Sequence, residues 1–179
     1  MSCECHELSA AESVFVSAVA TLRKTYRDHT FYVERDVVHY LQILIRNDLP
    51  DGFRVFNDYG IVRGPRRARS ADIAILVADR VLVAAEFKFE PCARRADIMA
   101  NKLPVIGWVD ELKDIARIEE FVNLGVAAVG FSICIDEGGR YRAKDRPTHS
   151  RVEDWDTGYG TQVTVTRWPP VTPRAPQEA

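Results

Sequence analysis

Asp72-Ile73-Ala74-Ile75-Leu76-Val77-Ala78-Asp79-Arg80-Val81-Leu82-Val83-Ala84-Ala85-Glu86-Phe87-Lys88 is the stretch whose reading decides the fold. Two apolar runs rich in β-forming residues meet at a polar turn, Asp79-Arg80, which is the signature of a β-hairpin. Charge occurs only where the two strands start and end. Glu86 and Lys88 are two residues apart, so an extended chain points both to one face of the sheet. Acidic residues at strand ends are common, and Glu-x-Lys alone has little specificity. The flank adds weight: Val81-Leu82-Val83-Ala84-Ala85 is the continuous apolar run of a strand covered on both faces. A carboxylate and a lysine closing such a strand are costly to desolvate unless paired or bound to a metal. Two carboxylates and a lysine at the open end of a hairpin can hold a divalent cation beside a water, the chemistry of phosphodiester hydrolysis.

This reading makes a geometric demand. If Asp79-Arg80 is a simple two-residue turn, Asp72 lies across from Phe87 and faces away from Glu86 and Lys88. A shared site needs an odd-length loop or a bulge, which is therefore expected.

Working outward, an arginine-rich loop (Arg63, Arg66, Arg67, Arg69) precedes Asp72, and a strand over about Arg54 to Ile61 precedes that loop. A helix is expected from about Val33 to Asn47, with Val37, Val38, Leu41, Leu44 and Ile45 as its apolar stripe. Glu34 lies one turn before Val37 and Val38 on the same face. It either complements the helix dipole or aims a carboxylate at Asp72. Ser9-Ala10-Ala11-Glu12 reads as a capping box opening an earlier helix near Ala10. Beyond the hairpin, Pro91 closes the third strand, which leaves Glu90 outside the site, and Arg94 to Lys102 is a short helical segment. A helix over about Glu111 to Asn123, capped by Asp110, carries Leu112, Ile115, Ile118, Phe121 and Val122 as apolar residues. Buried strand Val126 to Ile135 and late strand Thr161 to Arg167 follow. From Pro169 onward the proline-rich tail is expected to be disordered.

The fold class is thus α/β of the α+β kind, a mixed central sheet flanked by helices in the order helix, strand, strand, strand, helix, strand. The length of 179 residues suits one domain, residues 1–168, with a core over about 33–135 and a tail over 169–179. Hydrophobic content of 46% and charged content of 28% fit a globular chain, and the net charge of -2 leaves any nucleic-acid steering to local patches. Cys3, Cys5, Cys92 and Cys134 make no disulfide framework, and Cys134 reads as a small buried hydrophobe. Cys3-Glu4-Cys5-His6 has no second pair at zinc spacing and reads as a frayed terminus. Reduced thiols with no signal peptide point to the cytoplasm, and no apolar stretch is long enough to span a membrane.

With order and spacing in place, the chain resembles the PD-(D/E)XK nuclease superfamily, which includes restriction endonucleases and Holliday junction resolvases. Ala71-Asp72 matches the aspartate at the start of the second core strand, and Glu86-Phe87-Lys88 matches the Glu-x-Lys of the third. Glu34 resembles the extra acidic residue that many members carry on the preceding helix. Ala71 stands where the family name places a proline. The resemblance covers about Val33 to Ile135.

It implies a restriction-endonuclease-like core and a Mg2+-dependent (or Mn2+-dependent) endonuclease, a hydrolase of nucleic acid, expected to be DNA. Asp72, Glu86 and the Phe87 carbonyl would ligate the ion, and Glu34 would hold a second ion or its water. Lys88 would orient or deprotonate the attacking water. The alternative is an inactive member that keeps the fold and binds nucleic acid or a protein. A homodimer would supply two sites for a duplex. Arg63, Arg66, Arg67 and Arg69 before Asp72, with Arg94 and Arg95 after Lys88, are candidate phosphate contacts. Trp155 reads as an acidic-loop residue, His39 as lacking a catalytic partner, and Asp110 and Asp114 as capping and surface residues.

Overall fold

The computed structural model describes residues 3–62, 69–98, 102–155 and 157–170. Among the described residues three α-helices, α1 (Cys3–Thr25), α2 (Glu34–Asp48) and α3 (Trp108–Asn123), accompany six strands. These are β1 (Phe53–Val62), β2 (Arg69–Val77), β3 (Arg80–Glu90), β4 (Val129–Asp136), β5 (Ser150–Trp155) and β6 (Thr161–Trp168). They form one mixed sheet in the order β1-β2-β3-β4-β6-β5. The meander β1-β2-β3 is antiparallel, β3 and β4 are parallel, and β6 pairs antiparallel with both β4 and β5. The parallel pair requires a crossover, and α3 supplies it.

The main core lies between the sheet and α1 with α2. Phe15 and Leu22 of α1 and Leu41 and Ile45 of α2 pack on Ile73, Val83, Phe87, Phe131 and Ile133. A smaller cluster of Ala71, Ala84, Phe121 and Ala127 includes α3. Odd-numbered residues of β3 from Val83 onward therefore face α1 and α2, and even-numbered residues face α3. Glu86 and Lys88 belong to the second set. The approach of α3 to β4 leaves no room for a side chain at Gly130, where a Cβ would stand 2.9 Å from that of Ile118.

The hairpin satisfies the demand set by the sequence. Its loop is Ala78-Asp79, one residue earlier than expected, with Ala78 at φ 51. The register runs Val77↔Arg80 and Leu76↔Val81, then shifts to Ile75↔Val83, so Leu82 is the extra residue of a bulge. Val81 packs with the α3-side cluster, whereas Leu82 and Val83 both pack with the main core, as a one-residue bulge requires. The pairs Ala74↔Ala84 and Ile73↔Ala85 then bring Asp72 opposite Glu86.

Several expectations are corrected. Helix α1 begins at Cys3, not near Ala10, because Glu4 and Glu7 ion-pair with Arg80 and tie the first turns to the hairpin loop. Residues 3–6 are thus helical, not frayed. The described part of the Arg94–Lys102 segment, up to Ile98, is a series of turns, with Arg95 N–H donating to the Cys92 carbonyl. Glu90 stays in β3, buried, and accepts from the backbone N–H groups of Val105 and Ile106. Strand β5 was not expected. Trp155 closes it, buried against Tyr26 with ring centroids 5.6 Å apart. Helix α3 starts at Trp108 with Gly107 as N-cap, and Asp110 accepts from the Gly107 N–H at 3.0 Å from inside the first turn. The tail from 171 onward lies outside the described residues. No described helix is long and apolar enough to cross a membrane.

Candidate active site

Asp72, Glu86 and Lys88 meet where β2 and β3 part. Ile73↔Ala85 is the last ladder pair, and beyond it the Asp72 side chain takes over from the backbone: its Oδ2 accepts from the Phe87 N–H at 2.7 Å. Lys88 Nζ donates to the Phe87 carbonyl at 2.9 Å. Glu34, the first residue of α2, reaches the same lysine at 3.3 Å. Asp36 secures this helix start by accepting from the Tyr32 and Val33 N–H groups at 2.8 and 3.1 Å. The four residues singled out in the sequence therefore sit together.

Helix α3 adds three more. Asp114, 3% exposed, pairs with Lys88 Nζ at 2.7 Å, which corrects its reading as a surface residue. Arg117 bridges Glu86 Oε2 at 2.8 Å and Asp114 Oδ1 at 3.3 Å. Glu111, fully buried, accepts from the Ser132 hydroxyl at 3.2 Å. The signal for these residues was present: Glu111 and Asp114 stand in helical phase with Ile115, Ile118 and Phe121, and all five are buried. Leu112, read as part of that stripe, is instead exposed.

Burial and mutual repulsion set the electrostatics. Desolvation, with help from the Asp72 charge, pushes Glu86 up to about 8. Desolvation likewise pushes Glu34 up to about 7, against the pull of Lys88. Glu111 rises to about 7 through burial and the nearby Asp114. Asp72 is raised by burial even though the Phe87 N–H bond opposes it. For Lys88, burial disfavours the charged form, but Asp114, Glu34 and Asp72 outweigh it and the ammonium is held above its ordinary range.

Among the described residues no three His, Cys, Asp or Glu side chains stand together as a ready-made coordination sphere. Lys88 and Arg117 space the carboxylates apart, each bonding two of them. The donor set nonetheless suits a hard divalent ion. It is all oxygen, and Glu86 Oε1 is buried without a hydrogen-bond partner. In ionised form Glu34, Asp72, Glu86 and Asp114 carry two more negative charges than Lys88 and Arg117 balance, the charge of one such ion. A cavity of about 620 Å³ opens beside Glu34 and Asp72, lined also by His29, Arg35, His39 and Asn57.

The arginines divide. Arg63, Arg66 and Arg67 lie outside the described residues. Arg69 is exposed and ion-paired with Glu120. Arg94 is exposed, with its guanidinium on the Tyr159 carbonyl at 2.8 Å. Arg95 is corrected: it is 6% exposed, and its guanidinium is spent on Glu137, the Phe31 carbonyl and Asp97. A phosphate cannot reach it without breaking that network.

No protein-family model matches this chain, and searches of curated proteins and of solved structures return no match.

Proposed function

We propose that this protein hydrolyses phosphodiester bonds of nucleic acid, DNA foremost, in a Mg2+- or Mn2+-dependent reaction at a site of the PD-(D/E)XK type. The observation that carries the reading is the Leu82 bulge, which brings Asp72 opposite Glu86 with Lys88 on the same face of β3. The order of α2, β1, β2, β3, α3 and β4, with an antiparallel meander and a parallel fourth strand, is consistent with a restriction-endonuclease-like core.

Asp72, Glu86 and the Phe87 carbonyl would hold the ion, with Glu34 available for a second ion or a bound water. When bound, the ion supplies positive charge to the phosphate and lowers the pKa of a water. The chain's own residues do the rest. Lys88 is charged at neutral pH because Asp114, Glu34 and Asp72 overcome its burial, so it acts as a cation. In that state it would orient the attacking water and offset the charge gathering on the phosphate. Asp114 and Glu34 hold its ammonium from two sides.

The test is cleavage of labelled duplex, single-stranded and branched DNA in Mg2+, Mn2+ or EDTA, wild type beside Lys88→Ala and Asp72→Ala. Metal-dependent cutting that both substitutions abolish, in proteins that still fold, supports the reading. A second reading, a non-catalytic nucleic-acid-binding module, is favoured by one observation: Lys88 and Arg117 already occupy oxygens of Glu34, Glu86 and Asp114. Tight DNA binding by wild type without cutting in any metal would select it.

A further inference from the structure

Arg117 has no part in the reaction outlined above, yet its position is specific. It lies one helical turn beyond Asp114 on α3, and its guanidinium touches Glu86 Oε2 and Asp114 Oδ1. Both carboxylates are buried, whereas the Arg117 side chain is 37% exposed, so the guanidinium enters from the solvent edge of the site. It meets the carboxylate that the proposed function assigns to the ion, on the oxygen beside the unpartnered Oε1. An arginine cannot shed its proton, so its charge can be moved but not removed.

We propose that Arg117 is an internal counter-ion, holding Glu86 in the metal-free protein and passing to a substrate phosphate once a divalent cation takes that carboxylate. This rests on the metal-site reading. Once ionised, as cation binding requires of Glu86, Glu86 and Asp114 without a counter-charge would be buried anions at close quarters, which is strongly unfavourable. A divalent cation meets that need for Glu86 and makes the guanidinium redundant there. The arriving phosphodiester then brings new negative charge to the same edge, and a planar guanidinium fork suits two phosphate oxygens. The Arg117 side chain is 37% exposed against 18% for Lys88, which leaves it room for the short swing between the two positions.

The test uses calorimetric titration with Mn2+ of wild type, Glu86→Ala, Arg117→Ala and Arg117→Gln, the glutamine keeping much of the stem's packing should alanine impair folding. Wild type is expected to bind and Glu86→Ala not to bind. Both Arg117 variants are expected to bind Mn2+ about tenfold tighter, because a competing positive charge at contact distance is gone. In the presence of Mn2+ the same variants should bind a phosphorothioate oligonucleotide more weakly. Their salt slope should fall by about 0.7 to 0.9, the value of one phosphate contact. Unchanged or weaker Mn2+ binding in both variants makes Arg117 a structural strut and overturns the proposal. Tighter Mn2+ binding with an unchanged oligonucleotide slope overturns the hand-over. If wild type takes up no Mn2+, or Glu86→Ala binds as well as wild type, the metal-site reading fails and this proposal falls with it.

Discussion

Lys88 is held by Asp114 at 2.7 Å and by Glu34 at 3.3 Å, and only the second partner stands in the helix expected to supply one. Asp114→Asn keeps the shape of the side chain and removes its charge, so it probes positioning without opening a cavity. Metal-dependent cleavage is expected to fall about 10- to 100-fold, the usual effect of losing a partner that orients a ligand or catalytic group. Cleavage kinetics with Lys88→Ala as the lower bound would check it, and full activity in Asp114→Asn would remove Asp114 from the site. The raised carboxylates give a second expectation. Glu86 sits near 8 and Glu34 near 7 against an ordinary value of 4.5, so the folded metal-free protein holds protons that the unfolded chain releases. The stability they contribute is fully present below about pH 4.5 and is lost as pH rises through about 7 to 8. Thermal melts in EDTA should therefore decline across that window, and Mn2+, which replaces the protons, should restore more stability at the alkaline end than at the acid end. A Mn2+ effect of equal size at both ends would count against carboxylate ligation. Asp72, Glu86, Lys88 and Glu34 were legible in the sequence because they interrupt apolar runs at element ends. Asp114 and Glu111 left a fainter signal, because one turn of an amphipathic helix offers charged residues on every side, and only phase relative to Ile115 and Ile118 separates a buried carboxylate from a solvated one.

The hairpin shows how a count of residues becomes a site. Asp72 and Glu86 are an even number of positions apart, partners across a two-residue loop are an odd number apart, and Leu82 is the surplus. Deleting Leu82 should therefore close a regular hairpin in which Ile75 still pairs with Val83 and Asp72 still meets Glu86. Val83↔Val129 is the first pair of the parallel ladder, so Leu82 lies outside it. The expected cost is the lost Leu82 packing, about 2 to 5 kcal/mol, with Mn2+ binding retained. Deleting Ala84 instead slides Glu86 and Lys88 by one position against both β2 and β4 and turns them into the apolar core. Melting temperature and Mn2+ titration on the two deletions separate the cases. Equal loss of Mn2+ binding in both would mean that the bulge itself, and not the register beyond it, shapes the site. The hairpin, α2, α3 and β4 were readable because each has a clean period or a continuous apolar run. Strand β5 was not, because Ser150-Arg151-Val152-Glu153-Asp154-Trp155 is an edge strand with little apolar alternation, and only its pairing with β6 reveals it.

Across the whole molecule the net charge of -2 gives nucleic acid no general attraction, so any affinity depends on where individual arginines stand. Arg95 and Arg69 look alike in sequence and have opposite fates, the first buried and the second exposed. The Arg95 guanidinium lies between Glu137, the Phe31 carbonyl and Asp97. Glu137 in turn accepts from the Tyr26 hydroxyl at 2.9 Å and the Cys92 N–H at 3.0 Å. That network joins the segment after α1, the approach to α2 and the ends of β3 and β4, holding Glu34 and Lys88 in common reach. Arg95→Ala would leave Glu137 buried without its cation, a loss of about 3 to 5 kcal/mol. At about 2 to 4 °C per kcal/mol for a chain of this size, melting should drop by roughly 6 to 20 °C. Oligonucleotide affinity of the molecules that remain folded should be unchanged, because the guanidinium never faced solvent. Paired neutralisation of Arg66 and Arg67 should do the reverse: melting stays near wild type while binding weakens and its salt dependence flattens. Melting curves and salt-dependent binding on the two variants, side by side, test both assignments. A loss of affinity in Arg95→Ala at temperatures where it is fully folded would return Arg95 to the nucleic-acid surface and require the Glu137 network to open when substrate binds.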